Sequence, residues 1–346
     1  MILSLIVSND SIMKPPYDIT NKILQLLITI SEQLGVVNAI HLDRPSVHLR
    51  KRNRVKTIHA SLEIEGNTLT EEQITAILEH KRVIGPQKDI QEVLNAVEVY
   101  DQLERFKPHS VASFLKAHKI LMKGLIKEAG QWRTSSMGIV KGDQLAHIAP
   151  PAGNLSYLMD ELFEYIKTGE DPILIRSCVV HYEIEFIHPF LDGNGRMGRL
   201  WQTLLLLKEY PVFEFLPFES IIKERQEEYY QVLAYCDKVG KSTAFIEFML
   251  EAVLEALNDL LAMQNRTFTA KERIEYFIAT YQDEEFSRKD YMRVFKDISS
   301  STASRDLKNA VEQKKLRKIG DKRMTRYTIT HQSSPKNKGI NHPNDD

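Results

Sequence analysis

The chain has 346 residues, of which 42% are hydrophobic and 27% are charged, a composition typical of a globular protein with a substantial core. Its formal net charge of −1 excludes a general electrostatic attraction to nucleic acid or to an anionic membrane. The two cysteines, Cys178 and Cys236, lie far apart and form no CxxC pair, which argues against a disulfide scaffold or a zinc site. We therefore expect two or three domains in a reducing cytoplasm.

The N-terminal run MILSLIVSNDS is apolar but short. It has no basic segment and no small-residue cleavage site, and it is too short to cross a bilayer, so we expect a strand or a packing arm rather than a leader. No other run is long and apolar enough to be a membrane span, and we expect no membrane partner.

Residues 1–109 predict an N-terminal helical region. Thr70 and Gln73 have the spacing of a capping box, which predicts a short helix in TEEQITAILEH. Apolar residues at helical spacing predict further helices over 18–34, 51–64 and 88–106.

Residues 110–264 predict a second, mostly helical segment with one β-hairpin. Met137–Val140 and Leu145–Ile148 contain β-forming residues on either side of a Lys-Gly-Asp turn, and two prolines follow. Ser110 is expected to cap a helix that runs to about residue 126. The remaining predicted helices cover 154–167, 172–188, 195–208, 220–237 and 241–264.

Residues 265–330 predict three short helices followed by two strands around Gly320-Asp321, which is the order of a winged helix-turn-helix domain. Residues 267–330 contain 15 Lys and Arg against 10 Asp and Glu, a charge of +5. The polar tail, 331–346, is expected to be disordered.

A glycine-rich stretch, HPFLDGNGRMGRL, leads directly into an apolar helix. Glycines at 193, 195 and 198 leave out Cβ atoms where the backbone must approach another group closely. The backbone N–H groups at the start of a helix form a site for an anion, most often phosphate. Arg196 and Arg199 are spaced i, i+3 and can reach the same anion. A Walker loop is excluded, because GxxxxGK[ST] does not occur.

Two further residues of this stretch suggest chemistry on the bound phosphate. Asp192 would repel a phosphate unless a divalent cation, usually Mg²⁺, lay between them. A neutral imidazole at His188 could accept a proton from an attacking hydroxyl group.

The residues from His188 to Arg199 match the motif H-x-F-x-[DE]-G-N-G-R-x-x-R at every specified position, and by this motif the chain resembles the Fic family. The hairpin followed by IAPPA, the helix before His188 and the EYYQVL helix after it are similar to the rest of a Fic core over 110–264. The resemblance implies a mainly α fold: a Fic-type helical core with a small β-hairpin flap, followed here by the winged helix. It also implies transfer of AMP from ATP to a Ser, Thr or Tyr hydroxyl of a protein, with release of pyrophosphate.

Carried over residue by residue, the resemblance makes His188 the general base and Asp192 the Mg²⁺ ligand. Arg199 would reach the γ-phosphate, while Gly193, Asn194, Gly195 and Arg196 would hold the α- and β-phosphates. The residues expected to contact ATP are Glu65, Gly193, Asn194, Gly195, Arg196, Met197, Gly198, Arg199 and Tyr230.

A second motif supports the first. Ser61-Leu62-Glu63-Ile64-Glu65-Gly66 matches [ST]-x-x-x-E-[GN], which resembles the inhibitory helix of many Fic proteins. The resemblance implies that Ser61, Glu65 and Gly66 form this motif and that Glu65 binds Arg199, so that ATP is held in an unproductive pose. The same six residues also fit an ordinary helix end with Gly66 as its cap.

Several alternatives stay open. The hairpin is either a flap that docks the target protein or a core hairpin. The winged helix could make the chain a DNA-binding regulator, with Arg305 and Lys308 on its recognition helix, or it could bind protein. The Glu65 carboxylate could also activate a water that removes AMP. A homodimer is open too, and Cys236-Asp237 stands where an asparagine often lies near the adenine in the family.

Overall fold

The computed structural model describes residues 15–39, 47–136, 138–141, 144–264, 269–281, 285–295, 298–320 and 325–330. The chain divides into two compact units, Met1–Gln264 and Asn265–Asp346, and each is described by itself. The expected N-terminal strand or arm and the expected disordered tail lie outside the described residues.

The first unit is mainly α-helical, as predicted. Its N-terminal helices are α1 (Asn21–Ala39), α2 (Val47–Glu63), α3 (Glu71–Leu78) and α4 (Gln87–Asp101). They are followed by α5 (Val111–Leu121), α6 (Leu155–Thr168), α7 (Ile173–Ile187), α8 (Asn194–Glu209), α9 (Phe218–Glu224), α10 (Gln226–Val239) and α11 (Thr243–Gln264). The capping box predicted at Thr70 and Gln73 is confirmed at the start of α3.

The core of this unit surrounds α7 and α8. Both helices are buried on nearly all sides. Most of their buried residues are apolar, but α8 also buries polar and charged side chains, among them Arg196 and Arg199. Edge-to-face and stacked aromatic rings fill the space beside them: Phe114 contacts Phe163, Phe190 and Trp201 at centroid distances of 5.5, 5.4 and 4.9 Å. Residues of the N-terminal helices and of the later helices belong to this one core.

The helix predicted over 220–237 is wrong as a single element, since α9 and α10 are separate. Arg225 breaks the helical path with φ −105° and ψ 31°. Its guanidinium pairs with Glu228 and Glu251 at 2.8 and 2.9 Å and lies over the ring of Phe248 at 4.8 Å. These tertiary contacts hold the backbone in a conformation that helical periodicity does not predict.

The helix capped by Ser110 also ends earlier than predicted, at Leu121 rather than near residue 126. Asn95 donates hydrogen bonds to the carbonyls of Leu121 and Lys123, at 3.0 and 2.8 Å. A side chain from α4 thus satisfies acceptors that would otherwise favour another turn of helix.

The predicted hairpin is confirmed as the antiparallel pair β1 (Gly138–Lys141) and β2 (Gln144–Ile148). The register shifts between Ile139 and Val140. Met137 and the turn at 142–143 lie outside the described residues.

The second unit contains α12 (Ala270–Thr280), α13 (Arg288–Val294), α14 (Ser300–Glu312), β3 (Leu316–Ile319) and β4 (Arg326–Ile329). The strands pair antiparallel, and Phe286 forms an isolated bridge with Tyr327. A salt bridge of 2.7 Å joins Arg273 to the buried Asp306. The predicted order of helices and strands is confirmed, while the assignment to the winged-helix class stays a prediction.

Across the part of the chain that the structure describes, no helix is both long and apolar enough to cross a membrane.

Candidate functional site

His188 lies at the turn between α7 and α8, in a left-handed backbone conformation. Its φ and ψ are 50° and 58°, values that a residue with a Cβ adopts rarely. Pro189 follows, so the helix cannot continue, because proline has no N–H to donate. The Nδ1 atom lies 3.3 Å from the carbonyl of Glu185, a group that only accepts. Because the carbonyl can only accept, this hydrogen bond requires the ring proton to be on Nδ1. The other ring nitrogen, Nε2, is then the basic one.

Arg133 holds the strained turn in place. Its Nε donates to the carbonyl of His188 at 2.7 Å, and its Nη2 donates to the carbonyl of Ile187 at 3.3 Å. Its backbone N–H donates to the carbonyl of Pro189 at 2.9 Å. Three consecutive carbonyls at the end of α7 are thus satisfied by one buried residue, which the sequence analysis did not single out.

The loop after His188 closes on itself and on α5. The amide of Asn194 both accepts from the N–H and donates to the carbonyl of Phe190, each at 2.9 Å. The ring of Phe190 is fully buried and stacks on His118, with 3.5 Å between centroids. Phe190 therefore anchors the loop in the core.

His118 supports the loop from α5 and was also missed by the sequence analysis. Its Nδ1 accepts from the N–H of Gly130 at 2.9 Å, so its Nε2 carries the proton and donates to the carbonyl of Asp192 at 2.9 Å. Burial lowers the pKa of His118 to about 4, which keeps the ring neutral. Nothing in the local sequence marks this residue, since its partners lie in other segments.

The three glycines of the loop approach different neighbours. A Cβ on Gly193, which has φ +87°, would lie 2.8 Å from the sulfur of Met122, and one on Gly198 would overlap the ring of His181. At these two positions the close neighbour is protein. A Cβ on Gly195 would lie 2.6 Å from Oε1 of Glu65, so this glycine faces the inhibitory motif. Met197, expected among the ATP contacts, has a fully buried side chain.

Asp192 and Arg196 form an ion pair at the start of α8. The Oδ1 atom of Asp192 accepts from Nη2 of Arg196 at 2.7 Å and from the N–H of Gly193 at 2.6 Å. The other terminal nitrogen of Arg196, Nη1, donates to Oε1 of Glu92 at 3.1 Å. The Asp192 side chain is 47% exposed, whereas those of Arg196 and Glu92 are 4% exposed.

Arg199 is enclosed by Ser61 and Glu65. Its Nη2 donates to Oε1 of Glu65 at 2.6 Å and to the carbonyl of Ser61 at 2.9 Å, and its Nε donates to the Ser61 hydroxyl at 3.1 Å. Burial alone would lower the pKa of Arg199, but the Glu65 carboxylate raises it above its ordinary value. Gly66 follows at φ +89° and ends the turn after α2.

A second carboxyl group faces the same arginine from α7. Glu185 accepts a hydrogen bond from the Tyr229 hydroxyl at 2.9 Å. Burial, and then the nearby Glu65 charge, raise the pKa of Glu185 to about 7. Two carboxyl groups, those of Glu65 and Glu185, thus lie close to Arg199.

Tyr230 lies against the turn that follows α2. Its hydroxyl donates to the carbonyl of Ile64 at 3.4 Å, and Gln226 donates to the same carbonyl at 3.0 Å. At the position where the family often has an asparagine, Asp237 accepts from the Tyr182 hydroxyl at 2.9 Å.

One carboxylate, that of Asp192, is suited to Mg²⁺ in this site. Within the described residues there is no cluster of three or more His, Cys, Asp or Glu side chains that could enclose a metal ion. The Asp192 carboxylate alone still fits Mg²⁺, because this ion is commonly held by one or two carboxylates together with substrate phosphates and water.

Comparison with known proteins agrees with this geometry. The model of the Fic/DOC family matches residues 108–206. The crystal structure of a Fic family protein from Desulfovibrio desulfuricans G20 is 38% identical, covers 93% of this chain and 100% of its own, and superposes with a TM-score of 0.72. The chain therefore belongs to the Fic family.

More distant relatives share the fold and part of the length. Fic-1 (aa134–508) from C. elegans is 20% identical, with a TM-score of 0.60 over 70% of this chain and 73% of its own. The protein adenylyltransferase Fic of Drosophila grimshawi is 25% identical over 249 residues, which cover 67% of this chain and 48% of that protein. That of Culex quinquefasciatus is 27% identical over 247 residues, or 66% and 46%. The chain spans about half the length of the curated relatives it matches.

Proposed function

We propose that this protein is a self-inhibited adenylyltransferase, which transfers AMP from ATP to a Ser, Thr or Tyr hydroxyl of a target protein and of itself. The observation that carries the proposal is the state of Arg199. A fully buried arginine beside a helix N-terminus is suited to a phosphate, and here its charged partner is a carboxylate from the turn that follows α2.

The proposed reaction is an attack on the α-phosphorus of ATP. The target oxygen forms a bond to this phosphorus, the bond to the oxygen that bridges the α- and β-phosphates breaks, and pyrophosphate leaves. The proton of the hydroxyl passes to Nε2 of His188, whose Nδ1 proton is held by the Glu185 carbonyl. The N-terminal N–H groups of α8 and the Arg196 guanidinium would bind the phosphate oxygens.

Asp192 would hold Mg²⁺ in this reaction, and the ion, when bound, would neutralise charge on the phosphates. The carboxylate is half-exposed at the mouth of the loop, and both of the hydrogen bonds described above use Oδ1.

Self-inhibition follows from competition for Arg199. The γ-phosphate of ATP and the Glu65 carboxylate are both anions. They compete for the same N–H donors of Arg199, and one edge of the guanidinium cannot make its full set of hydrogen bonds to both. While Glu65 stays bound, the γ-phosphate is kept from Arg199, and the α-phosphate is not held in line for attack. Gly195 has no side chain, which leaves room for the Glu65 oxygen beside the loop.

The comparisons favour transfer of AMP over the alternatives, because the matching curated relatives are named protein adenylyltransferases. The +5 charge of residues 267–330 is modest for binding DNA, where affinity depends on many phosphate contacts.

The test is incubation of the purified protein, alone and in cell lysate, with Mg²⁺ and ATP labelled in its α-phosphate. We expect Glu65→Gly to label itself and lysate proteins more strongly than wild type does, and the added change His188→Ala to remove the label. Glu63→Gln is the matched control, because Glu63 ends α2 two residues before Glu65 but pairs with Lys223 at 2.9 Å. Equal labelling by all four proteins, or none by any of them, would contradict the proposal.

A further inference from the structure

The first motif arginine, Arg196, has a charged partner that lies outside the family match. Glu92 is on α4, whereas the Fic/DOC model matches residues 108–206. The two side chains meet at 3.1 Å, and both are almost completely buried. A carboxylate in this place either inhibits the phosphate loop, as Glu65 is proposed to do, or supports it.

The positions of Glu65 and Glu92 distinguish these two roles. The Glu65 side chain is 27% exposed and reaches over Gly195, on the side from which a ligand would approach. The Glu92 side chain is 4% exposed, and both of its oxygens are engaged: Oε1 by Arg196 and Oε2 by the amide of Asn67 at 2.8 Å. An anionic ligand could displace Glu65 into solvent, but it could not displace Glu92 without breaking two buried hydrogen bonds.

Arg196 depends on Glu92 for its orientation. Its Nε is buried and makes no hydrogen bond with the described residues. The guanidinium is therefore fixed by Glu92 at Nη1 and by Asp192 at Nη2. If Asp192 turns towards a metal ion, Glu92 is the partner that remains.

We infer that Glu92 is a positioning residue for nucleotide binding: it fixes one edge of the Arg196 guanidinium so that the other edge is presented to the α- and β-phosphates. This inference rests on the proposed function. Glu92 touches no reacting atom and acts on the nucleotide through Arg196.

The same carboxylate ties the inhibitory motif to the phosphate loop. Asn67 comes directly after Glu65 and Gly66, and its amide donates both to Glu92 and to the carbonyl of Asp89, at 2.8 and 3.1 Å. Its Oδ1 accepts from the N–H of Leu69 at 3.1 Å, so the amide cannot flip without loss. Glu92 thus sets the position of the turn that follows Glu65 relative to Arg196.

The Asn67 amide makes a sharp test possible. In Glu92→Gln, the new amide can satisfy Arg196 with its oxygen, but its nitrogen then faces the Asn67 nitrogen, donor against donor. In the double variant Asn67→Asp/Glu92→Gln, the aspartate accepts from the glutamine nitrogen and from Leu69, so the contact between the two side chains is restored, while the hydrogen bond to the Asp89 carbonyl is lost. The carboxylate, however, is no longer beside Arg196.

The measurement is calorimetric titration of the full chain with ATP and with ADP at fixed Mg²⁺, together with the Tm of each variant. We expect the affinity of Glu92→Gln for both nucleotides to fall about tenfold, because both contain the α- and β-phosphates. The double variant should regain part of the lost Tm but stay weak in binding. Lys88→Ala is the control: Lys88 lies 3.8 Å from the same carboxylate but is 70% exposed, and its loss should leave binding unchanged.

Three results would overturn the inference alone. Tighter binding by Glu92→Gln would make Glu92 a second inhibitor, and wild-type affinity in the double variant would make its role structural. Normal binding by Glu92→Gln would show that Glu92 has no role in nucleotide binding. Absence of nucleotide binding by the wild type overturns the proposed function as well.

Discussion

The proposed self-inhibition rests on the ion pair of Glu65 and Arg199, and the contribution of this pair to stability can be worked out from the structure. In Glu65→Gly, Arg199 loses its charged partner but keeps two hydrogen bonds to Ser61, at 3.1 and 2.9 Å. A hydrogen bond between charged groups contributes ~1.5–3 kcal/mol. Because the Glu65 side chain is 27% exposed, the lower part of that range applies. We expect the free energy of unfolding to fall by about 1.5–2 kcal/mol, which corresponds to a drop in Tm of about 3–8 °C.

ATP should reverse part of this loss, because its γ-phosphate replaces the missing carboxylate. A ligand at about 100 times its Kd stabilises a protein by about 2.7 kcal/mol. ADP has no γ-phosphate, so the gain in Tm from ATP over ADP should be larger in Glu65→Gly than in wild type. A shift of ~1.4 kcal/mol towards the productive pose raises its population about tenfold, and AMP transfer should rise by at least that factor.

The assay combines thermal unfolding with either nucleotide and transfer of AMP from α-labelled ATP. Glu65→Gln keeps an acceptor oxygen but no charge, and it should give an intermediate result. If Glu65→Gly transfers no more AMP than wild type and shows the same difference between ATP and ADP, residues 61–66 are only a capped helix end and the inhibitory reasoning is wrong.

Three further predictions concern single side chains. His188→Ala should abolish AMP transfer but keep ATP affinity within a few fold, because the imidazole acts on the hydroxyl; near-normal transfer would contradict this role. Asp192→Ala should lower AMP transfer, and added Mg²⁺ should restore it in part. If AMP transfer is unchanged both by the mutation and by EDTA, Asp192 does not act through a metal ion. Burial raises the pKa of Glu219 to about 7, above its ordinary 4.5, so its contribution to stability is present below about pH 4.5 and is lost as the pH rises through 7. Glu219→Gln should therefore gain Tm relative to wild type between about pH 5 and pH 8, and a constant difference in Tm would refute this pKa shift.

Much of the fold could be predicted because the signals are local. The capping box at Thr70 is complete within four residues, and the hairpin strands have β-forming residues on both sides of a turn. The loop from His188 to Arg199 contains its own turn residues, and the amide of Asn194 closes it on Phe190 from four residues away. Local patterns of this kind need no knowledge of tertiary packing.

The supports of the site could not be predicted, because their partners are far away in sequence. Glu92 lies 104 residues from Arg196, Arg133 lies 55 from His188, and His118 lies 74 from Asp192. Each is a charged or polar side chain whose type does not show that it will be buried.

The neighbours of the individual loop glycines could not be predicted from the sequence either. All three loop glycines were expected where the backbone approaches another group closely, but Gly193 and Gly198 lie against Met122 and His181 of the protein itself. Of the three, only Gly195 faces Glu65. The spacing of the glycines in the sequence indicates that another group comes close to the backbone, but only the tertiary packing shows which group it is.

The most direct test of the central claim is which phosphorus of ATP reaches the protein. Purified Glu65→Gly is incubated with Mg²⁺ and with ATP labelled either in the α- or in the γ-phosphate, and the label bound to protein is measured after denaturation. Transfer of AMP predicts label from the α-phosphate only, with pyrophosphate released and no label when His188→Ala is added. Label from the γ-phosphate, or no label at all although calorimetry shows bound ATP, would contradict the claim that this protein is an adenylyltransferase.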